Sequence, residues 1–393
     1  MLLSRICVLA LLLALTVQSG AFTATRGRTL SLESDEPASG LAVLDEEQPA
    51  AFFALAASVE PSQTGASLSA VNLSDNSSEL RGFLPQGEVI SNGGGGVHGP
   101  SAAFATVTSR LVASGELGYS VLSCQLTNGL VTETLPLPEV KYVLWSGFGI
   151  RAAVDQRAQP KPRVAILAPT SNCTGNPCFY DFGVFSADFN TMAVDPISSL
   201  RGTPAIAAGG AAAFDSQRGR FWFVLGTPTA QSARHLYAIE MATGVTVVDT
   251  PLLQPPGLTL LSWDELTADI YGVGVTPGGS PADPSHFRLV RISGESGETI
   301  ASLELPEGSA AGWRNLRVGN TAFDSSSRTL FFLVSTAQSP MNFLTLVGVN
   351  VDTAKVEQMP SFCRTGSARP EYRNCPLLIG QQAGTPVRSL EHH

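Results

Sequence analysis

Short apolar runs alternate with turns rich in Gly, Asp, Asn and Ser along nearly the whole chain. The stretch Asn320–Pro360 shows the cadence. Thr321–Phe323 ends at Asp324, a Ser-rich turn follows, and Leu330–Val334 comes next. After a loop the chain continues with Phe343–Asn350, a turn at Val351–Ala354 and a short run near Val356. Runs of this length, bounded by turn formers and rich in β-branched and aromatic residues, predict strands. After residue 21 no long stretch repeats at 3.6 residues, so few helices are expected.

The units resemble one another when aligned on the Asp that closes the first run. LAVLD (Leu41–Asp45), AAAFD (Ala211–Asp215), LLSWD (Leu260–Asp264) and NTAFD (Asn320–Asp324) each carry an aromatic seven residues on: Phe52, Trp222, Tyr271 and Phe331. RAAVD (Arg151–Asp155) keeps the Asp, with an insertion at Ala158–Pro162 before Val164–Leu167. PSAAFA (Pro100–Ala105) lacks it but runs on to TSRLVAS. Each unit then ends in a second hairpin, as in HLYAIEMATGVTVVDTP and FLTLVGVNVDTAKVEQM, whose turns supply the residues that tolerate positive φ.

Six first strands and six closing hairpins predict an all-β fold: a single β-propeller of six four-stranded antiparallel blades. A seventh would arise if an N-terminal strand such as Arg28–Leu32 completed a blade with the C-terminal tail. A four-stranded sheet with two apolar faces must stack on neighbours to hide both. Small residues (Ala-Ala-Phe-Asp, Ala-Ala-Val-Asp) suit first strands crowded at the channel. The bulk of Phe52, Phe53, Phe221, Trp222, Phe223, Phe331 and Phe332 in second strands suits the core between blades. The recurrent Asp predicts a carboxylate accepting backbone N–H bonds in the turn that follows, rather than a catalytic group.

Composition agrees. Charged residues are 15%, with 38 Gly and 26 Pro, as many short strands and tight turns require. Net charge is −9, and no Lys/Arg run is dense enough for a phosphate backbone, so nucleic acid is not expected as a partner.

Met1–Ala21 places one Arg before an apolar core and ends on Ser19, Gly20 and Ala21, which predicts a cleaved secretory signal. Residues 22–40 form an N-terminal segment and 41–390 the propeller. No later run is long enough to span a membrane, so a secreted or extracellular protein is expected. Phe22 followed by TATRGRTLSL offers an alternative, the two-part presequence of a complex algal plastid. Leu390–His393 resembles an expression-tag scar.

Cys7 leaves with the signal. Cys173 with Cys178, and Cys363 with Cys375, are the local pairs expected as disulfides in an exported chain, leaving Cys124 as a buried thiol. Asn72, Asn76 and Asn172 head glycosylation sequons at turns or loops. Gly93–Gly96 lacks the Lys-Ser/Thr of a phosphate loop and is read as a flexible crossing between blades, with His98 at a channel mouth.

AFDSSSRTLFFLV and HLYAIEMATG resemble blades of the YVTN, NHL and WD40-like propellers, over about Leu41–Pro360. That resemblance implies a fold and not an activity. Six-bladed members of this kind include calcium-dependent lactonases, whose metal is held by Glu, Asn and Asp at the channel. Carried over, the positions on offer here are Asn92, His98 and Asn320, and Ca2+ would be the cofactor. No Gly-x-Ser-x-Gly, HExxH, P-loop or EF-hand motif occurs. The sequence therefore favours a non-enzymatic module that binds a protein or a glycan, over a lactonase-like hydrolase with a channel metal.

Overall fold

The computed structural model describes residues 44–362, apart from 46–47, 59–64, 73–77, 85–88, 112–116, 141–149, 172–178, 205–211, 228–229, 253–256, 277–285, 307–312, 326 and 337–342. Its strands form antiparallel meanders. The first sheet holds β1 (Leu44–Asp45), β2 (Gln48–Ser58), β3 (Gly65–Asn72) and β4 (Ser78–Phe83). Next come β5 (Val89–His98), β6 (Ala103–Leu111), β7 (Leu117–Gln125) and β8 (Val131–Pro136), then β9 (Arg151–Asp155), β10 (Arg163–Pro169), β11 (Phe179–Asp188) and β12 (Ala193–Pro204). Three more sheets follow: β13 (Ala212–Asp215) to β16 (Thr246–Pro251), β17 (Gly257–Asp264) to β20 (Thr299–Glu304), and β21 (Trp313–Asp324) to β24 (Val356–Phe362).

The innermost strands meet in order, β5 with β9, β9 with β13, β13 with β17, β17 with β21, and β21 with β5, while the first sheet borders β21 and β5. The fold is a β-propeller. Among the described residues it has five blades, not the six or seven expected. Two meanders fuse through a parallel pairing of β5 with β9 at Gly94 and Ala152, giving one sheet of eight strands beside four sheets of four. Gly94, within the glycine run, makes that pairing, and the next glycine brings β5 close to β6 on its other side. At Gly95, φ is 147°, and an added Cβ would lie 2.1 Å from Ala105 O.

That seam also corrects two expectations. Val89–Pro100 is no flexible crossing, since it contains the innermost strand β5. The unit's first strand is not Pro100–Ala105; Ala103–Leu111 is β6, the second strand. Read in the true register, His98 closes β5 where Asp155, Asp215, Asp264 and Asp324 close β9, β13, β17 and β21. The missing Asp had been replaced, not displaced.

Alternation along the second strands builds the core between blades. Phe221 and Phe223 face β9–β12 and pack with Ala165, Leu167 and Phe182. Trp222, between them, faces the opposite way and packs with Leu258, Trp263 and Ile270 of β17–β20. Phe332 meets Trp313 edge-on at 5.7 Å, in a cluster with Tyr271 and Phe287. Phe221, Trp222, Phe223 and Phe332 are fully buried, each worth about 1.5–3 kcal/mol of transfer free energy. The aromatics of second strands are therefore core, as expected; the side chains of Phe52 and Phe53 lie outside the described residues.

The outermost strands β4, β8, β16, β20 and β24 each carry one extra residue against their partner, and β12 carries two, for example between Thr246 and Val248 and between Thr299 and Ala301. Such bulges twist an exposed edge away from pairing with another chain. Among the described residues no helix is long and apolar enough to cross a membrane.

Candidate functional site

Among the described residues, the turns after β9, β13 and β21 bond to neighbouring inner strands or turns. Asp215 Oδ1 accepts the N–H groups of Gln217 (2.9 Å) and Arg218 (3.0 Å), and Asp155 Oδ1 accepts that of Arg157 (3.0 Å). Asp264 accepts from the Leu266 N–H (3.0 Å) and from the Thr267 hydroxyl (2.6 Å). These carboxylates fold their turns, as the recurrence predicted. The residues just after them reach sideways. The Gln156 side chain donates to Val97 O (2.6 Å), while its N–H donates to Ser216 Oγ (3.0 Å). Gln217 Nε2 donates to Glu265 O (3.0 Å), and the Ser325 hydroxyl donates to Asp264 Oδ1 (3.0 Å). A belt of inter-blade bonds thus runs along one rim.

His98 belongs to that belt. It is fully buried; Nε2–H donates to Ala158 O (2.8 Å), and Nδ1 accepts from the Ser101 hydroxyl (2.7 Å). Burial holds its pKa below the usual histidine value, against the opposing pull of the Ala158 bond and the Asp155 charge. With both nitrogens engaged, and nitrogen a poor ligand for a hard cation, His98 does not fit a calcium site. Asn92 lies within β5 and Asn320 within β21, and these strands run against each other, but both side chains are outside the described residues. Among the described residues no group of three His, Cys, Asp or Glu side chains could hold a metal.

Cys124, in β7, is buried and free, and burial pushes its pKa up to about 12, so the thiol is inert at neutral pH. Asn72 is the last residue of β3. Cys173, Cys178, Cys363, Cys375, Asn76, Asn172, Met1–Ala21 and Leu390–His393 lie outside the described residues.

The site that sequence reasoning missed lies between the β17–β20 and β21–β24 sheets. A cleft of about 200 Å3 is lined by Tyr271, Leu289, Arg291, Ala301, Leu303, Val351 and Asp352. One arginine ties its back wall together. Arg328 Nη1 pairs with the buried carboxylate of Asp264, Nη2 donates to Tyr271 Oη (3.0 Å), and Nε donates to Asp352 Oδ2 (3.3 Å). The guanidinium lies over Phe323 (5.3 Å) and Tyr271 (5.6 Å), whose rings stack 5.2 Å apart at 2°. Burial raises the Asp264 pKa, but the bonds from Thr267, Arg328, Leu266 and Ser325 outweigh it and hold the carboxyl below its usual range. Desolvation lowers the pKa of Arg328, but its bonds to Asp264 and Asp352 and the charges of Asp264 and Tyr271 outweigh that and raise it.

At the mouth, Arg291 gives Nε (2.8 Å) and Nη2 (2.6 Å) to Asp269 Oδ2, and its side chain is 39% exposed. Asp352, with a side chain 57% exposed, has its second oxygen to offer. Leu303 is 43% exposed. The only sequence signal for this site was Tyr271 at the seventh position after Asp264, which reads equally as core. Arg291 and Asp352 come from a third strand and an outer turn, and only the stacking of two sheets brings them together.

No protein-family model matches the chain, and no curated protein does. Solved structures with a similar course include the tricorn protease (TM-score 0.46, 9% identity, over 87% of this chain and 32% of that one). An oligogalacturonate lyase in complex with manganese matches with TM-score 0.42 and 13% identity, over 78% of this chain and 75% of that one. The propeller domain of the Trilobed protease from Pyrococcus furiosus matches with TM-score 0.43 and 8% identity, over 82% and 98%. This chain thus spans about a third of the tricorn protease. What is established is the architecture: the chain is a β-propeller of antiparallel blades.

Proposed function

We propose that this chain is an exported propeller that binds a protein or a glycan. The observation that carries the reading is the cleft between the β17–β20 and β21–β24 sheets, lined by the Arg291 guanidinium and the Asp352 carboxylate beside Leu289, Leu303 and Val351. A few polar groups converging over an apolar floor is the usual composition of a recognition site. Export rests on Met1–Ala21 and is supported by the sequons at Asn72, Asn76 and Asn172 and by the Cys173–Cys178 and Cys363–Cys375 spacing.

The test is to probe peptide and glycan arrays with the purified chain, and to assay aliphatic lactones with calcium in parallel. Retention on one array class, with no lactone turnover, is the expected outcome. Calcium-dependent lactone hydrolysis without retention on either array would overturn the reading in favour of the hydrolase.

A further inference from the structure

The cleft discriminates among occupants more sharply than its size suggests. At about 200 Å3 it falls below the ~300 Å3 lower end of ordinary small-molecule sites, so it admits one ring or one side chain. An aliphatic side chain would satisfy Leu289, Leu303 and Val351. It would also strip water from the Arg291 guanidinium and from Asp352 without replacing it. An anion would suit Arg291 but meet Asp352 across the mouth, and a cation would meet the reverse. A neutral polyol satisfies both, because each hydroxyl donates to the carboxylate side and accepts from the guanidinium side.

We propose that this cleft is a subsite for one neutral pyranose ring at the exposed end of a glycan. The ring's C–H face lies on Leu289, Leu303 and Val351. Adjacent hydroxyls accept from the Arg291 guanidinium and donate to Asp352. The wall does not adjust to the ligand, since Arg328 is fixed by Asp264, Tyr271 and Asp352, and Arg291 by Asp269. Fixed polar groups lose little freedom when they bind, which favours a small ligand with few atoms to contribute. The assignment rests on the binding reading above and narrows it to one ligand class.

Saturation-transfer NMR tests it on the full chain, with neutral methyl glucosides, galactosides and mannosides as probes and methyl glucuronide as the charged counterpart. At least one neutral pyranoside is expected to take up saturation at its ring C–H protons, and the glucuronide is not. Leu303→Arg, at a half-exposed edge-strand position that can accept a long side chain, is expected to weaken that binding at least tenfold without moving the melting temperature. Asp352→Ala is expected to weaken it several-fold. Binding to none of the neutral pyranosides, or binding that Leu303→Arg leaves unchanged, overturns the proposal. A peptide that occupies the cleft in their place overturns the sugar assignment but leaves the binding function standing, whereas lactone turnover without any binder removes both.

Discussion

At the joint between the β17–β20 and β21–β24 sheets, a turn arginine crosses to the next blade and buries its charge against Asp264 and two aromatic rings. At the seam inside the double sheet, the same strand-end position holds His98, which carries no formal charge and donates to Ala158 O. Backbone does the rest there: Gly94 pairs with Ala152, and Gln156 brackets Val97 O and the Gly99 N–H. One joint is ionic and long-armed, the other neutral and close. The difference follows from distance. Where glycines let two inner strands approach, a short neutral bridge suffices, and where side chains keep the sheets apart, a guanidinium spans the gap.

If that contrast is right, the ionic joint is the more fragile to truncation. Arg328→Ala strands the buried Asp264 carboxylate and is expected to cost about 3–5 kcal/mol, read as a lower urea midpoint with the slope unchanged. A loss under 1 kcal/mol would show that the clamp is incidental. At the seam the sensitive element is backbone. Gly95→Ala combines a φ of 147° with a clash at 2.1 Å against Ala105 O, and is expected to cost about 2–4 kcal/mol. Should Gly95→Ala be neutral, the close approach of β5 to β6 would not be what holds the glycine strand in place beside β9.

Much of the fold could be read from the sequence because propeller blades are local. The turn after Asp215, the hairpin at Gly244 and the aromatic row Phe221–Phe223 are each written within about a dozen residues, so periodicity and turn chemistry identify them. The double sheet could not be read that way. It depends on Gly94 meeting Ala152, 58 residues on, and four consecutive glycines carry no side-chain pattern to mark a strand. The strand end at His98 is hidden for the same reason, because with no Asp there the repeat aligns on Ala105 instead. The cleft was invisible because its polar groups come from β19, whose range is His286–Ser293, and from the turn between β23 (Phe343–Asn350) and β24. Neither segment announces that they converge.

His98→Ala comes next in size. It leaves the Ala158 carbonyl and the Ser101 hydroxyl without their partner inside the seam, and the expected cost is about 2 kcal/mol. The same variant isolates the smallest effect, a dependence on pH that distinguishes the two joints. In the folded chain burial keeps His98 neutral below the pH at which an unfolded histidine, with a pKa of about 6.5, takes its proton. The unfolded state therefore binds the extra proton first, and stability must fall as pH drops below about 6.5. Asp264 has the opposite origin and a lower window. Its folded pKa is depressed, so its contribution is intact above about 4 and is lost only as pH falls further. Between about pH 6.5 and 4.5 the seam should weaken while the Arg328 clamp does not. Denaturation midpoints measured at steps across that range should decline in the wild type and in Arg328→Ala, with a shallower decline in His98→Ala. Equal slopes in all three would mean that the strand-end histidine takes up its proton as readily folded as unfolded, and the distinction between a neutral and an ionic joint would go with it.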